Sequence, residues 1–497
     1  MTRPRALLIA LALQLLVTVT AWAQEPLRIG SKRFTEAYIL AELLAQTARP
    51  HASVELKPGL GNTAIVYAAL RAGSIDLYPE YVGTIDLEIL KNAQPSASLV
   101  AMNEQLKPLG LGVAVPLGFN NGYALAMKTQ TARRMGIATL SDLAAHPSLR
   151  LGLSNEFIGR ADGWRGLAQR YGLAQQPTGL DHGLAYEAVT AGQIDVIDIY
   201  TTDAKIAHLG LTVLVDDAAY FPRYDALLLY RLDVPQRFPA AWAALQRLSG
   251  SIDEKTMIAL NARAELQGQG FEAIAREHRN GSAGASDKVQ APGFWAKLFG
   301  PDLLRVTGQH LTLVLVSVAL AVLIGVPLAI AVAPHAGPRA LVLGASGLLQ
   351  TIPSLALLAV LISWIDRIGA LPALLALTLY ALLPIMRNTC VGLAEVPQGL
   401  RLAGTALGFT TLQRLRLIEL PLALPTLVAG IRTATSITVG TATIAAFIGA
   451  GGYGERIVTG LALNDKDLLL AGALPSATLA LLFEALFGLA ARWMRRH

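Results

Sequence analysis

The stretch HLTLVLVSVALAVLIGVPLAIAVA, residues 310–333, carries no Asp, Glu, Lys or Arg, and a helix of about 20 such residues is long enough to cross the hydrocarbon core of a bilayer. Reading it as a span divides the chain. Downstream, runs rich in Leu, Ala, Val and Ile recur at 340–363, 368–386, 427–449 and 468–491; the fourth of these five candidate spans contains Arg432 and the fifth Glu484. Upstream, residues 25 to about 280 mix charges, turn residues and short apolar runs as a globular domain does. The composition of 53% hydrophobic and 15% charged residues over 497 positions is therefore an average of two unlike halves, one that folds in water and one of about five spans that folds in lipid.

Residues 1–23 read as an export signal. Arg3 and Arg5 precede an apolar run from Ala6 to Val19, and Ala21-Trp22-Ala23 is a small-x-small cleavage pattern before Gln24. The soluble half, 25–279, is then expected outside the cytoplasm, joined by a Gly/Ser/Pro-containing linker, 280–300, to a membrane half, 301–497. On that topology the first span runs inward, and 334–339, 387–420 and the C-terminal tail face the cytoplasm. The charges agree: these segments carry Arg339, Arg387, Arg401, Arg414, Arg416, Arg492, Arg495 and Arg496, against Arg367, Arg456 and Lys466 outside. This describes a multi-pass protein of a bacterial inner membrane with its soluble half in the periplasm or outside. Glu484 is expected to hydrogen-bond a neighbouring helix, and Arg432 to reach toward the cytoplasmic interface.

Several function classes are excluded. The net charge of +6 arises from scattered residues, with no basic run interleaved with aromatics, so nucleic acid is not a partner. The single cysteine, Cys390, lies in the membrane half and no intrachain disulfide can form. No Gly-x-x-x-x-Gly-Lys-Ser/Thr loop occurs, so the chain is not an ATPase. No metal-ligand spacing or nucleophile–base pair stands out; Glu80 and Asp86 are the only hint of a membrane-anchored hydrolase, and no metal or catalytic residue is expected.

The long cytoplasmic segment reads Leu402-Ala403-Gly404, three residues, Gly408, nine residues, Ile418, one residue, Leu420-Pro421. It resembles the coupling loop of binding-protein-dependent ABC permeases, in which Glu-Ala-Ala, three residues, Gly, nine residues, Ile, one residue, Leu-Pro recurs. Two short helices with a tight turn are expected, Gly408 taking a positive φ at little cost. The resemblance implies that the turn seats in a separate ATPase subunit, where ATP and Mg would be bound, with no cofactor in this chain. It also implies dimerisation through the membrane half. The family's leading Glu is Leu402 here and its second Ala is Gly404. The segments 429–435, 440–444 and 448–454 also look like osmoprotectant permeases; their small residues are expected to serve helix packing, with pathway lining by Thr435, Thr438 and Thr441 as the alternative.

In the soluble half, Ala69-Leu70-Arg71-Ala72-Gly73-Ser74-Ile75-Asp76-Leu77 returns as Ala188-Val189-Thr190-Ala191-Gly192-Gln193-Ile194-Asp195-Val196. Each copy reads as helix end, Gly cap and buried strand, with Asp76 and Asp195 hydrogen-bonding at the strand start. Two such units imply two α/β lobes. The opening Ile29–Glu36, with Ser31 or Thr35 as helix cap, resembles the start of binding proteins for glycine betaine, choline and carnitine, as do 59–63, Asp76–Thr84, Asn121–Tyr123, Tyr200–Asp203 and Phe221–Tyr224. The resemblance implies a two-lobed periplasmic-binding-protein fold, type II-like, followed by an all-α transmembrane ABC permease.

It also implies the ligand site. A quaternary ammonium has no N–H to donate, and aromatic faces recognise it by cation–π contact, each worth about 0.5–2 kcal/mol. The matched positions are Tyr81, Tyr123, Tyr200 and Tyr224 as cage walls, Tyr78 and Tyr220 less directly, and Lys32, Asn121 and Thr84 as polar contacts for a carboxylate. Lys32 would favour solutes bearing a carboxylate unless it is a solvated surface residue. Arg160 and Asp162 are expected as a surface ion pair rather than as lining of the interlobe cleft. The function implied is the binding and permease component of an ATP-driven importer of quaternary-ammonium osmoprotectants such as glycine betaine, carnitine or choline. The alternatives are import of a bulkier trimethylammonium solute such as ergothioneine, or a membrane-anchored solute sensor.

Overall fold

The computed structural model describes residues 25–92, 96, 98–281, 293–365, 367–463 and 465–494. The export signal and most of the linker lie outside the described residues. The soluble half begins with β1 (Leu27–Gly30), α1 (Thr35–Ala48), β2 (Val54–Lys57), α2 (Thr63–Arg71), β3 (Leu77–Tyr81) and β4 (Leu111–Ala114). The chain then crosses to a second lobe of β5 (Tyr123–Lys128), β6 (Leu151–Ser154), β7 (Thr178–Leu180), α3 (His182–Thr190), β8 (Val196–Tyr200) and β9 (Leu211–Val213). It returns through β10 (Ala226–Arg231) and ends with α4 (Glu254–Glu265) among its last helices.

The two sheets are built alike, in the orders β2-β1-β3-β10-β4 and β7-β6-β8-β5-β9. In each, three parallel strands from one lobe accept an antiparallel strand that has just arrived from the other, β10 beside β3 and β5 beside β8. The repeated sequence falls at equivalent places, the turns from α2 into β3 and from α3 into β8. Gly73 and Gly192 follow the helices with φ of 68° and 71°. Asp76 Oδ2 accepts from Arg28 N at 2.7 Å and Asp195 Oδ2 from Arg150 N at 2.9 Å, joining each strand start to its parallel neighbour. These are the structural roles expected of the two aspartates. Two connections, near 115–122 and 220–225, cross between the lobes and pair at Asn120 and Asp225.

The membrane half contains α5 (Leu303–Val332), α6 (Ala336–Thr351), α7 (Ser354–Ile365), α8 (Ala370–Glu395), α9 (Gln398–Ala406), α10 (Thr411–Arg414), α11 (Leu420–Thr441), α12 (Gly454–Leu463) and α13 (Lys466–Met494). Among the described residues four helices are long and apolar enough to span a membrane. A fifth span exists if α6 and α7, bent by 102° at their junction, are counted together. A continuous span was expected over 340–363. The break lies at Ile352, which is extended (φ −67°, ψ 128°) immediately before Pro353, because proline disfavours helical backbone in the residue before it. Lipid cannot satisfy the freed backbone, and α8 does so: the Tyr380 hydroxyl donates to Ile352 O at 2.6 Å.

Glu484 on α13 was expected to hydrogen-bond a neighbouring helix, and it does; Arg432 on α11, expected to reach the cytoplasmic interface, is its partner instead. They are ion-paired to each other, with Ser436 also donating to Glu484 at 3.3 Å. Thr435, Thr438 and Thr441 turn their hydroxyls back onto carbonyls of their own helix at 2.7–2.9 Å, which favours packing over pathway lining.

Candidate solute-binding site

One cavity between the lobes is lined by Lys32, Phe34, Tyr81, Thr84, Asn121, Tyr123, Glu156, Tyr200 and Tyr224. Strand geometry explains the convergence. Tyr81 is the last residue of β3, Tyr200 the last of β8 and Tyr123 the first of β5; Tyr123 and Tyr200 are register partners across the β5–β8 ladder. Tyr224 lies in the return crossing, its N–H donating to Asn120 Oδ1 at 2.7 Å. The ring centroids of Tyr123 are 5.1 Å from those of Tyr200 and 5.9 Å from those of Tyr224, and Phe34 lies 5.2 Å from Tyr200 and 6.3 Å from Tyr81. Four tyrosines and a phenylalanine from both lobes and the crossing thus form one aromatic shell.

Tyr78 does not belong to it. It is fully buried in the cluster on the opposite side of the sheet, with Val66, Leu70 and Met102, because residues three apart on a strand point to opposite faces. Tyr220 also stays outside the lining and donates to Gly163 O at 3.1 Å.

The charges differ from expectation. Lys32 is buried, its Nζ 2.5 Å from Glu80 Oε1 and 5.1 Å from the Tyr81 ring centroid. The neighbouring carboxylate compensates its charge, which removes Lys32 as an argument for a carboxylate-bearing ligand. Arg160 and Asp162 form a buried bidentate pair, at 2.7 and 2.6 Å, instead of a surface one. The Arg160 guanidinium covers the Tyr123 ring at 5.0 Å and donates to Thr84 Oγ1 at 3.3 Å, while Asp162 accepts the Tyr224 hydroxyl at 2.6 Å. This ion pair therefore holds two cage tyrosines, and Thr84 is engaged by it.

Asn121 likewise serves the scaffold, donating to Glu36 Oε1 at 3.0 Å. Glu36, on the first turn of α1, also accepts from the Tyr81 hydroxyl at 2.5 Å, Thr202 Oγ1 at 2.6 Å and Asn261 Nδ2 at 3.3 Å. Burial pushes its pKa up and the four donors oppose the shift. One carboxyl thus ties β3, the crossing, the turn after β8 and α4 together.

Phe34, Glu36 and Glu156 are residues the sequence reading did not assign, and Arg160, read there as half of a surface pair, lies buried against the shell. Phe34 and Glu36 lie inside the stretch Ile29–Glu36 already singled out. Neither Ser31 nor Thr35 caps α1: the N-cap is Phe34, without a side-chain bond, and Ser31 Oγ accepts from Gly59 N at 2.9 Å.

The shell encloses about 20 Å³ open to the centre of a water molecule, enough for about one water. Admitting a trimethylammonium group therefore requires the lobes or rings to part. Beside it, sharing Lys32, Phe34, Glu156 and Tyr200 as walls, lies a cleft of about 140 Å³ that ends on Val458 and Leu461 of α12 in the membrane half. The aromatic shell and the membrane half thus face each other across one cleft.

In the segment 398–421, α9 and α10 are the two short helices expected, and Gly408 between them has φ 80°. Leu402 and Ala403 are exposed, whereas Gly404 is buried. A Cβ at Gly404 would stand 2.7 Å from Ile418 Cδ1, so glycine in place of the motif's alanine lets Ile418 pack onto α9. Leu420 and Pro421 open α11. Thr410 and Gln413 form a capping box at α10.

Residues 25–280 match the model of the substrate binding domain of ABC-type glycine betaine transport systems, and 321–496 that of the binding-protein-dependent transport system inner membrane component. The glycine-betaine-binding protein of Pseudomonas aeruginosa is 35% identical over 285 residues, covering 52% of this chain and 91% of that protein. The osmoprotectant import permease protein OsmW of Salmonella typhimurium is 46% identical over 186 residues, covering 37% of this chain and 86% of the permease. The ergothioneine transport permease/ergothioneine binding protein EgtU of Helicobacter pylori is 33% identical over 278 residues, covering 54% of this chain and 50% of that protein. With its aromatic interlobe shell and its helical membrane half, the chain belongs to the family of substrate-binding domains of ABC-type glycine betaine transport systems, fused here to the inner membrane component of such a system.

Proposed function

We propose that this importer component carries a small quaternary-ammonium solute of the glycine betaine, carnitine or choline class. The observation that carries the reading is the shell of Phe34, Tyr81, Tyr123, Tyr200 and Tyr224 around one cavity, since ring faces attract a cation that has no N–H to donate. Glu156 in the same wall adds a carboxylate to the cation's surroundings. The tightness of the shell favours a compact solute over a bulkier trimethylammonium one such as ergothioneine, which the relationship to the Helicobacter protein keeps as the second reading. ATP is hydrolysed by a separate subunit, and the turn at Gly408 is proposed as its docking point.

The soluble half is assigned to the periplasmic or outer side, and two chains are proposed to pair through their membrane halves. In support, α13 is mostly uncovered within one chain, and the half-exposed Arg432–Glu484 pair sits near the middle of two spans, where contact with lipid is costly. Calorimetric titration of the full chain in nanodiscs with glycine betaine, carnitine, choline and ergothioneine tests the solute. Binding of one or more of the first three, tighter than ergothioneine, is expected; failure of all four to bind overturns the reading.

A further inference from the structure

Between Lys32 and Phe34, which both line the aromatic shell, Arg33 does not line it. Its backbone and side chain together meet three parts of the protein. It belongs to the first lobe, where its backbone N–H donates to Gly61 O at 3.1 Å. Across the cleft its Nη2 lies 3.5 Å from Asp181 Oδ2 of the second lobe. Its guanidinium also stands 4.6 Å from the ring centroid of Phe447, in the 3-10 turn Ala442–Ile448 that follows α11.

Asp181 is itself the N-cap of α3, its carboxylate accepting from Gly183 N at 3.0 Å. That end of α3 rests on the membrane half, where a Cβ at Gly183 would come within 2.7 Å of Leu461 O. A second cross-contact, Lys466 to Glu187 at 3.6 Å, lies further along the same helix. One guanidinium thus joins the solute-lining loop, the helix cap of the opposite lobe and the membrane turn.

We propose that Arg33 is the positioning residue that makes docking on the membrane half depend on lobe closure. Asp181 reaches Arg33 only when the lobes are together. The pairing orients the planar guanidinium over Phe447 and seats α3 on α12. With the lobes apart Arg33 has no second-lobe partner, and α3 is no longer held at its N-terminus against the membrane half. The proposal rests on the importer architecture and not on the identity of the solute.

The test uses the full chain in nanodiscs with Glu187→Cys and Lys466→Cys, two exposed positions facing each other across the contact, joined by a short bismaleimide; Cys390 is buried. Cross-link yield reports docking. Arg33→Gln and Asp181→Asn are each expected to lower the solute-free yield about threefold or more, the magnitude of a partly buried ion pair with a cation–π contact, and the double variant should fall no further. Arg33→Lys keeps the charge but loses the planar stacking and should recover part of the yield. Thermal midpoints of the variants, expected within a few degrees of the parent, separate this from unfolding. Full yield in Arg33→Gln, or additive losses in the double variant, overturns the proposal. Adding glycine betaine, carnitine or choline should raise the parent's yield and leave that of Arg33→Gln unchanged. No rise in the parent with any of the three counts against the proposed solute class, while the solute-free comparison still decides the role of Arg33.

Discussion

Tyr200 offers the sharpest test of cation–π recognition, because its ring is shared by the aromatic shell and the cleft toward the membrane half. It lies 5.2 Å from Phe34 and 5.1 Å from Tyr123, and its outer side is backed by His182 at 4.5 Å. Tyr81 and Tyr123 each already have a protein cation near the ring, Lys32 and Arg160. The cation beside Tyr200 is His182, held protonated by Asp198 and Asp203, and those two carboxylates compensate its charge. Tyr200→Leu removes one aromatic face while keeping an apolar side chain of useful size at a half-buried site. A face contributes about 0.5–2 kcal/mol, so the dissociation constant for the solute should rise about 2- to 30-fold. Tyr200→Phe keeps the face and should stay within about twofold of the parent. Calorimetry on the full chain, with the best-binding member of the glycine betaine, carnitine and choline set, measures both. If Tyr200→Leu binds as the parent does, or if Tyr200→Phe loses as much as Tyr200→Leu, ring-face recognition at this position is wrong.

Lys32→Met strands the fully buried Glu80 without its partner and is expected to destabilise the soluble half by about 3–5 kcal/mol, with Lys32→Met/Glu80→Gln recovering part of the loss in denaturant unfolding. A neutral Lys32→Met would mean that Glu80 is not held as a buried carboxylate. His182 supplies a pH dependence: burial alone would lower its pKa, but Asp198 and Asp203 raise it to about 10. A raised histidine pKa stabilises the fold fully below about pH 6.5 and ceases to do so as pH climbs through about 10. The thermal midpoint of the soluble half should therefore fall between these limits and do so less steeply in His182→Gln; identical slopes in parent and variant would refute it. Gly408→Val forces a branched side chain into a left-handed turn at a cost of roughly 1–2 kcal/mol. It should cut solute-stimulated ATP hydrolysis by the assembled transporter about fivefold or more while solute affinity holds. Undiminished stimulation would remove that turn from the coupling contact.

Much of this protein was legible because the signals are local. A run such as 310–333 needs no knowledge of its surroundings to be read as a span, since lipid imposes length and polarity on each helix separately. The repeated Gly–Ile–Asp turns revealed two equivalent lobes, because cap and strand start are set by residues within a few positions. The spacing from Leu402 to Pro421 likewise implied two short helices around Gly408. The break at Ile352 had a local sign in Pro353, but an apolar run on both sides concealed it, and only Tyr380 from another helix makes the break tolerable in lipid.

At the aromatic shell, position in the strands could be foreseen and electrostatic partnership could not. Tyr81, Tyr123, Tyr200 and Tyr224 stand together because strands in two sheets end at one interlobe cleft, while Tyr78, three residues from Tyr81, is turned to the other face. Lys32 read as a free cation because Glu80, 48 positions away, is brought to it only by the parallel pairing of β1 and β3. Arg160 and Asp162 read as a surface pair because nothing local shows that the cage tyrosines will cover them. Glu36 gathers donors from residues 81, 121, 202 and 261, a convergence that the crossing of the chain between lobes creates. The sequence by itself determined a two-lobed α/β domain joined to a helical membrane half, because periodicity, caps and hydropathy act over one element at a time. Only the tertiary structure decided which charges are neutralised, which rings share a cavity and which face of the cleft meets the membrane, because those depend on side chains far apart in the chain being desolvated together.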